Sequence, residues 1–256
     1  MGNYCREDFV EVLAVIPARY GSSRFEAKVL AKDTGKFLVQ HTYERVLCAK
    51  SVEKALIATD SELVMGACAS FGADCVMTSA AHQSGTDRIA EAVRDIDCKI
   101  VVNLQADEPE IEAANIDYLV RLLQDSDAHM ATLVADFTNK KQIHDPNIVK
   151  AIVDKNGSAI YFSRSPIPYD RGAGGVGETG SYLRHLGIYA YRKDFLLKFT
   201  SLPQGELEKC EKLEQLRAIE HGFSIITGKV EHARDGIDTP EQYAEFVRRQ
   251  KEGLNY

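Results

Sequence analysis

Two stretches of this sequence combine side chains of the types and spacing that phosphate chemistry needs. The first runs Ala18-Arg19-Tyr20-Gly21-Ser22-Ser23-Arg24, with Lys28 four residues further on. Arg19, Arg24 and Lys28 can neutralise several negative charges, Ser22 adds a hydroxyl, and Gly21 lets the backbone approach a ligand closely. The chemistry suggested is a polyphosphate cradle, with a solvated basic loop as the plain alternative. The second stretch is Gln105-Ala106-Asp107-Glu108-Pro109, directly after the apolar run Ile100 to Leu104. A strand-end aspartate is well placed to hold Mg²⁺ between its carboxylate and substrate phosphates. Capping the next helix is the plain alternative for these acids.

These loops need a frame to hold them. Val12 to Ile16 is a short β-branched run that stops at Pro17, which reads as a strand buried on both faces. The basic loop then lies at the carboxyl end of a strand, where open α/β sheets bind ligands. It is neither a G-x-G-x-x-G nor a G-x-x-x-x-G-K-[ST] loop. Helical spacing follows from Phe37 to Lys50, then a strand from Ala55 whose final Thr59-Asp60 can cap a helix from Glu62 to Phe71. Cys75 to Met77 reads as a third strand, and Ser84 or Thr86 can cap a helix from Thr86 to Asp95. Such alternation predicts a parallel sheet with right-handed crossovers.

The second half is less regular. A helix is expected from Glu112 to Leu123 and a strand from Met130 to Ala135. Val149 to Asp154 and Ser158 to Phe162 suggest a hairpin around Asn156-Gly157. Arg171 to Gly180 holds five glycines and is expected to be a mobile loop. Arg184 to Arg192 reads as a strand on which His185 and Tyr189, an even number apart, share one face. A charged helix is expected from Glu206 to Glu220 and a strand from Phe223 to Thr227. Thr239 as cap and Pro240 at the first position open a last helix ending near Lys251.

The chain has 256 residues, of which 45% are hydrophobic and 27% charged, the make-up of an ordinary globular protein able to bury a full core. One α/β domain over residues 1–256 is the simplest expectation. The formal charge of −7 gives no broad electrostatic footprint for nucleic acid, so an anionic ligand must meet a local basic site. Met1 to Glu11 has no long apolar region, and no stretch approaches the ~18 apolar residues of a membrane span. The six cysteines form no C-x-x-C pair and are expected to be reduced thiols in a cytoplasmic protein.

Several ordered blocks carry a family resemblance. Ile16-Pro17-Ala18-Arg19-Tyr20-Gly21-Ser22-Ser23-Arg24, His82-Gln83-Ser84-Gly85-Thr86-Asp87-Arg88 and Gln105-Ala106-Asp107-Glu108-Pro109 are similar to blocks of the CMP-KDO synthetases (3-deoxy-manno-octulosonate cytidylyltransferases). Tyr161-Phe162-Ser163-Arg164, His185-Leu186-Gly187-Ile188-Tyr189 and Leu213-Glu214-Gln215-Leu216-Arg217 resemble three more, and Asp238 in Gly236-Ile237-Asp238-Thr239-Pro240 another.

The resemblance implies a nucleotide-diphospho-sugar transferase-like fold: α/β, three-layer, a mostly parallel sheet flanked by helices. A small β-rich portion would serve dimerisation and the sugar site. It implies transfer of CMP from CTP to the acidic sugar KDO with release of pyrophosphate, for lipopolysaccharide biosynthesis, by a cytoplasmic homodimer. Arg19, Ser22, Arg24, Lys28, Gln83, Ser84, Gly85 and Asp107 would bind CTP. Asp107 and Asp238 would hold Mg²⁺. Arg164 would meet the sugar carboxylate, with Gln105, His185, Tyr189, Glu214 and Gln215 around its hydroxyls. Arg19, Lys28, Asp107 and Asp238 would be catalytic. A cytidylyltransferase for a related acidic sugar, such as 8-amino-KDO, and a nucleotide-binding regulator of the same fold are the alternatives. The chain departs from the family in having Glu26-Ala27 for Pro-Gly before Lys28, and Ala106 for glycine. An alanine at 106 would cost roughly 1–2 kcal/mol if that position requires φ > 0.

Overall fold

The computed structural model describes residues 9–21, 25–231 and 234–253, and its contacts divide the chain into two compact units. Unit 1 comprises residues 1–110 and 236–256, and unit 2 residues 111–235.

In unit 1 the chain forms β1 (Val10–Pro17), α1 (Leu38–Leu47), β2 (Lys54–Thr59), α2 (Glu62–Ser70), β3 (Cys75–Met77), α3 (Gly85–Val93) and β4 (Cys98–Asn103). The strands lie in the order β3-β2-β1-β4 and all pair in parallel. Leu13, Ala14, Val15 and Ile16 of β1 are fully buried, as a run apolar on both faces requires. Pro17 pairs with Ala58 and Val15 with Asn103, so the loops after β1, β2 and β4 leave the sheet at the same end.

Unit 2 runs α4 (Ala113–Gln124), β5 (Met130–Asp136), α5 (Lys140–Ile143), β6 (Lys150–Val153), β7 (Ala159–Ser163), β8 (Leu183–Arg192), α6 (Lys193–Ser201), α7 (Glu206–Glu211), α8 (Leu216–Glu220) and β9 (Ile225–Val230). Here β5 pairs parallel with β9 but antiparallel with β8, and β6 pairs antiparallel with β7 and β8. The sheet structure is thus the expected parallel kind in unit 1 and mixed in unit 2, flanked by helices. The β6–β7 hairpin turns where Asn156-Gly157 predicts, with Gly157 at φ +85°.

The chain then returns to unit 1 as α9 (Pro240–Glu252). Thr239 caps it, its hydroxyl accepting from the Gln242 amide while the Gln242 side chain reaches back to the Thr239 amide. Tyr243 and Phe246 of α9 bury a face together with Ile237 and Leu38.

Two expectations are corrected. The charged helix is broken: Lys212 takes φ 54°, ending α7 and leaving Glu214 in a turn before α8. Arg164 fixes that break by donating to the carbonyls of Glu211 and Lys212, the groups a helix C-terminus leaves unsatisfied. Thr59 and Asp60 do not cap α2 through their side chains, and Ser61 stands at the N-cap. The Thr59 hydroxyl goes to the Ala18 carbonyl and the Asp60 carboxylate to Arg88. Within the glycine-rich stretch expected to be mobile, Gly175 pairs with Asp170 by two backbone bonds of 2.7 and 3.0 Å. The Gly177 amide also donates to the buried Tyr182 hydroxyl. No helix among the described residues is long and apolar enough to cross a membrane.

Arg217 on α8 forks onto Glu208 of α7 at 2.6 and 2.7 Å, with both side chains almost wholly buried. Arg217→Met leaves a buried carboxylate without its main partner, so it should cost about 3–5 kcal/mol in urea unfolding. Adding Glu208→Met should recover most of that loss. A single variant within experimental error of the parent would show that the pair is dispensable.

Candidate active site

In unit 1 the segment after β1 is anchored before it reaches its basic residues. The Ala18 amide donates to the Ala58 carbonyl at 2.8 Å, and the Ala18 carbonyl accepts from the Thr59 hydroxyl at 2.6 Å. The Tyr20 amide reaches one Asp60 oxygen at 3.4 Å, while Arg88 holds the other at 2.7 Å and the Thr78 hydroxyl at 2.6 Å. Arg88 lies on α3 and is only 4% exposed, so its charge needs that carboxylate. The sequence reading gave Asp60 a capping role and Arg88 none. A buried helical arginine would have pointed to the pair, but burial is not visible in a local motif.

Arg19 is exposed at the start of the loop. Ser22 and Arg24 lie outside the described residues. Lys28 is brought to the centre: its ammonium lies 2.6 Å from Asp107 Oδ2 and 3.1 Å from Asp238 Oδ1. Asp107 follows β4, and its carbonyl accepts from the Ile237 amide at 2.8 Å. Asp238 is not at a strand end; it stands just before Thr239, the cap of α9, and its amide donates to Gln242. Two carboxylates from distant parts of the chain therefore converge on one cation-sized point.

Those oxygens suit a hard divalent ion, which takes one or two carboxylates and leaves positions for water and substrate phosphate. Among the described residues no group of three or more His, Cys, Asp and Glu forms a full cage. Asp107 and Asp238 are the two carboxylates that this point offers to such an ion.

Three more of the expected residues meet beside Pro17. Ser84 caps α3, its hydroxyl accepting from the Asp87 amide at 3.1 Å. A Cβ on Gly85 would come 3.2 Å from Pro17 Cγ, a tight approach, and 3.6 Å from Gln105 Oε1, an ordinary contact. Gln105 is oriented by donating to the Asn103 side chain at 2.9 Å. Gln83 is exposed, and its amide folds back onto the Ala81 carbonyl.

The departures before Lys28 and at 106 exchange significance. Ala106 is not in the left-handed region; it is buried, and its carbonyl accepts from Thr42 at 3.0 Å. Ala27 is left-handed, at φ 51°, directly before the turn Lys28–Leu30 that aims the ammonium. That is the position where the resembling family has glycine. Glu26 is exposed rather than set against Lys28.

Unit 2 holds the remaining residues in two groups. His185 and Tyr189 stack at 5.5 Å between ring centroids, with Phe162 at 4.9 Å on the other side of His185. Between Tyr189 and Leu186 the register on β5 advances by one residue, from Thr132 to Leu133, so β8 bulges. The Thr132 hydroxyl spans the bulge, donating toward the Ile188 carbonyl at 2.8 Å and meeting His185 Nε2 at 2.9 Å. The same hydroxyl faces the Leu186 carbonyl at 3.1 Å, so Thr132 ties two backbone carbonyls and the His185 ring together. The protein around His185 strips water from it and pushes its pKa down to about 3. Burial also raises the Tyr189 phenol, helped by the nearby Glu214 carboxylate. Both rings are therefore neutral hydrogen-bonding groups at neutral pH. Glu214 faces Arg217 at 3.7 Å, and Gln215 is buried at the N-cap of α8.

Arg164 forms the second group. Its guanidinium donates to the carbonyls of Glu211 at 2.7 Å, Pro146 at 2.8 Å and Lys212 at 3.4 Å, which uses three of its five N–H bonds. Its amide and the Ser163 hydroxyl are both held by the Glu211 carboxylate, at 2.9 and 2.6 Å. The fully buried Lys150 caps the same corner, giving its ammonium to the carbonyls of Asp145, Ile148 and Arg164. Sequence reasoning missed Thr132, Lys150 and Glu211, none of which sits in a recognisable motif.

Comparison with known proteins places these features in context. Residues 13–226 match a family described as Cytidylyltransferase. The 3-deoxy-manno-octulosonate cytidylyltransferase of Solibacter usitatus is 46% identical over 239 residues, covering 93% of this chain and 94% of its own. That of Desulfatibacillum aliphaticivorans is also 46% identical, over 92% and 96%. A solved structure of CMP:2-keto-3-deoxy-manno-octonic acid synthetase complexed with CTP superposes with a TM-score of 0.89 at 39% identity, covering 95% of this chain and all of that one. A cytidylyltransferase from Leptospira borgpetersenii, 18% identical with a TM-score of 0.61, shares the fold.

Two outcomes follow from this geometry. Ala27→Gly should raise stability by ~1 kcal/mol in urea unfolding, because it relieves the left-handed strain of a residue with a Cβ; no gain would place the strain elsewhere. His185 binds a proton in the unfolded chain below its ordinary value of 6.5 but in the folded protein only near 3. Its contribution to stability is therefore complete above pH 6.5 and declines as the pH falls toward 3. His185→Gln should flatten the stability profile across that window, and an unchanged slope would remove His185 as its source.

Proposed function

Since the chain belongs to the cytidylyltransferase family, we propose that it activates 3-deoxy-D-manno-octulosonate (KDO) with CTP, giving CMP-KDO and pyrophosphate for lipopolysaccharide biosynthesis. The anomeric hydroxyl of the sugar attacks the α-phosphorus of CTP, and pyrophosphate leaves in line. The observation that carries this reading is the convergence of Lys28, Asp107 and Asp238 on one point, in a chain 46% identical to curated 3-deoxy-manno-octulosonate cytidylyltransferases. We read residues 1–256 as one working cytidylyltransferase, a homodimer in the cytoplasm.

Phosphoryl chemistry of this kind rests on holding charge still rather than on covalent work by the protein. Arg19, Arg24 and Lys28 would bind the triphosphate, with Ser22 and the backbone at Ser84 and Gly85 along the nucleotide. Gln83 would reach its base or ribose. Asp107 and Asp238 would hold Mg²⁺, which when bound neutralises phosphate oxygens and lowers the pKa of a coordinated hydroxyl. Arg164 keeps two N–H donors for the sugar carboxylate after its three carbonyl bonds. His185, the neutral Tyr189 phenol, Gln105, Glu214 and Gln215 would sort the sugar hydroxyls. His185 is a neutral hydrogen-bonding group here and not a general acid, because its proton affinity is too low at neutral pH.

Pyrophosphate release across a panel of nucleotides and acidic sugars tests the reading. CTP with KDO should give the highest kcat/KM and require a divalent ion. Asp107→Asn and Asp238→Asn should each cut kcat by at least about 100-fold with the fold retained by circular dichroism. A preference for 8-amino-KDO would shift the substrate within the family. Binding of CTP without turnover of any sugar would favour a regulator.

A further inference from the structure

We propose that Lys28 is a placeholder cation: its ammonium occupies the divalent-ion position between Asp107 and Asp238 until a polyphosphate draws it away. The inference rests on the metal-site reading above and adds an exchange between two cations to it.

The geometry carries the argument. The Lys28 side chain is 10% exposed, and its ammonium contacts Asp107 at 2.6 Å and Asp238 at 3.1 Å. Burying that ammonium is unfavourable without partners, and the two carboxylates provide them. In turn the carboxylates, from segments 131 residues apart in the sequence (107 and 238), would repel each other without a cation between them. One positive charge against two negative ones leaves the point attractive to a second cation. Yet a divalent ion binds carboxylate oxygens at about 2.0–2.1 Å. An ion centred between the two carboxylates would stand where the ammonium now sits, so the two cations compete for that point.

A triphosphate supplies the reason for Lys28 to leave. It offers the ammonium new anionic partners, and its departure uncovers both carboxylates. Nucleotide and metal then favour each other through a single side chain, and by linkage each raises the affinity of the other. Without nucleotide the protein's own ammonium keeps the point occupied, and free metal binds there poorly.

The test uses Mn²⁺ as the probe on the full chain, without nucleotide, read by electron paramagnetic resonance of the free ion. Lys28→Met should bind Mn²⁺ roughly tenfold tighter than the parent. Lys36→Met, which removes an equal charge from an exposed pair with Glu44, should bind it as the parent does. Equal gains in both variants would reduce the effect to net charge and overturn the proposal, as would no gain in Lys28→Met. If Asp107→Asn and Asp238→Asn leave Mn²⁺ binding intact, the metal site itself is wrong. If they abolish binding while Lys28→Met gains nothing, only the exchange is wrong. A second measurement needs no variant. Saturating Mn²⁺ without nucleotide should increase acetylation of Lys28 by acetic anhydride in the wild-type chain, read by peptide mass spectrometry. Unchanged or reduced labelling overturns the proposal.

Discussion

A single ammonium between two carboxylates sets the terms for unit 1. Lys28 reaches Asp107 and Asp238 only because three separate pieces of chain are aligned: the turn after β1, the loop after β4, and the approach to α9. Each alignment has its own local cause. Ala27 accepts left-handed strain to aim the lysine. The Ile237 amide binds the Asp107 carbonyl. Thr239 and Gln242 box the start of α9. None of these is strong alone, and the charges make them cooperative, since a misplaced partner leaves a buried cation exposed to full desolvation cost.

Unit 2 solves its electrostatics by the opposite means. Lys150 and Arg164 spend their donors on backbone carbonyls rather than on a movable ion. That choice freezes the corner where α7 ends and β7 stops. His185 and Tyr189 are held neutral by their surroundings. In unit 2 the cations are thus tied to the backbone and the rings are neutral, whereas in unit 1 the Lys28 ammonium is held by two carboxylates.

Much of the frame was legible from the sequence because it is periodic. The β-branched run of β1, the Asn-Gly hairpin and the Thr-Pro start of α9 each carry a local cause that acts without help. Asp107 could be singled out as an acid after an apolar run. Asp238 could not, since it precedes a helix whose cap already explains its neighbours; only the resemblance marked it. The break at Lys212 was invisible because every residue from Glu206 to Glu220 tolerates a helix, and the stop comes from Arg164 far away in sequence. Strain at Ala106 could be stated only as a condition, and the left-handed residue is Ala27, because a glycine-to-alanine change does not by itself reveal a dihedral angle.

Unit 1 is assembled from both ends of the sequence, and synthesis on the ribosome gives that arrangement a direction. While residues 111–235 are being made, Leu38 lacks the Ile237, Tyr243 and Phe246 that later cover it, and Lys28 has one carboxylate instead of two. Domains generally fold as units during translation, from the N-terminus onward, but here the first unit to emerge is left unfinished until residues 236 onward appear. A nascent chain that stops before residue 236 therefore leaves the apolar face around Leu38 uncovered. Exposed apolar surface of this kind is what chaperones bind, so the late arrival of Ile237, Tyr243 and Phe246 makes chains that lack them conspicuous to quality control.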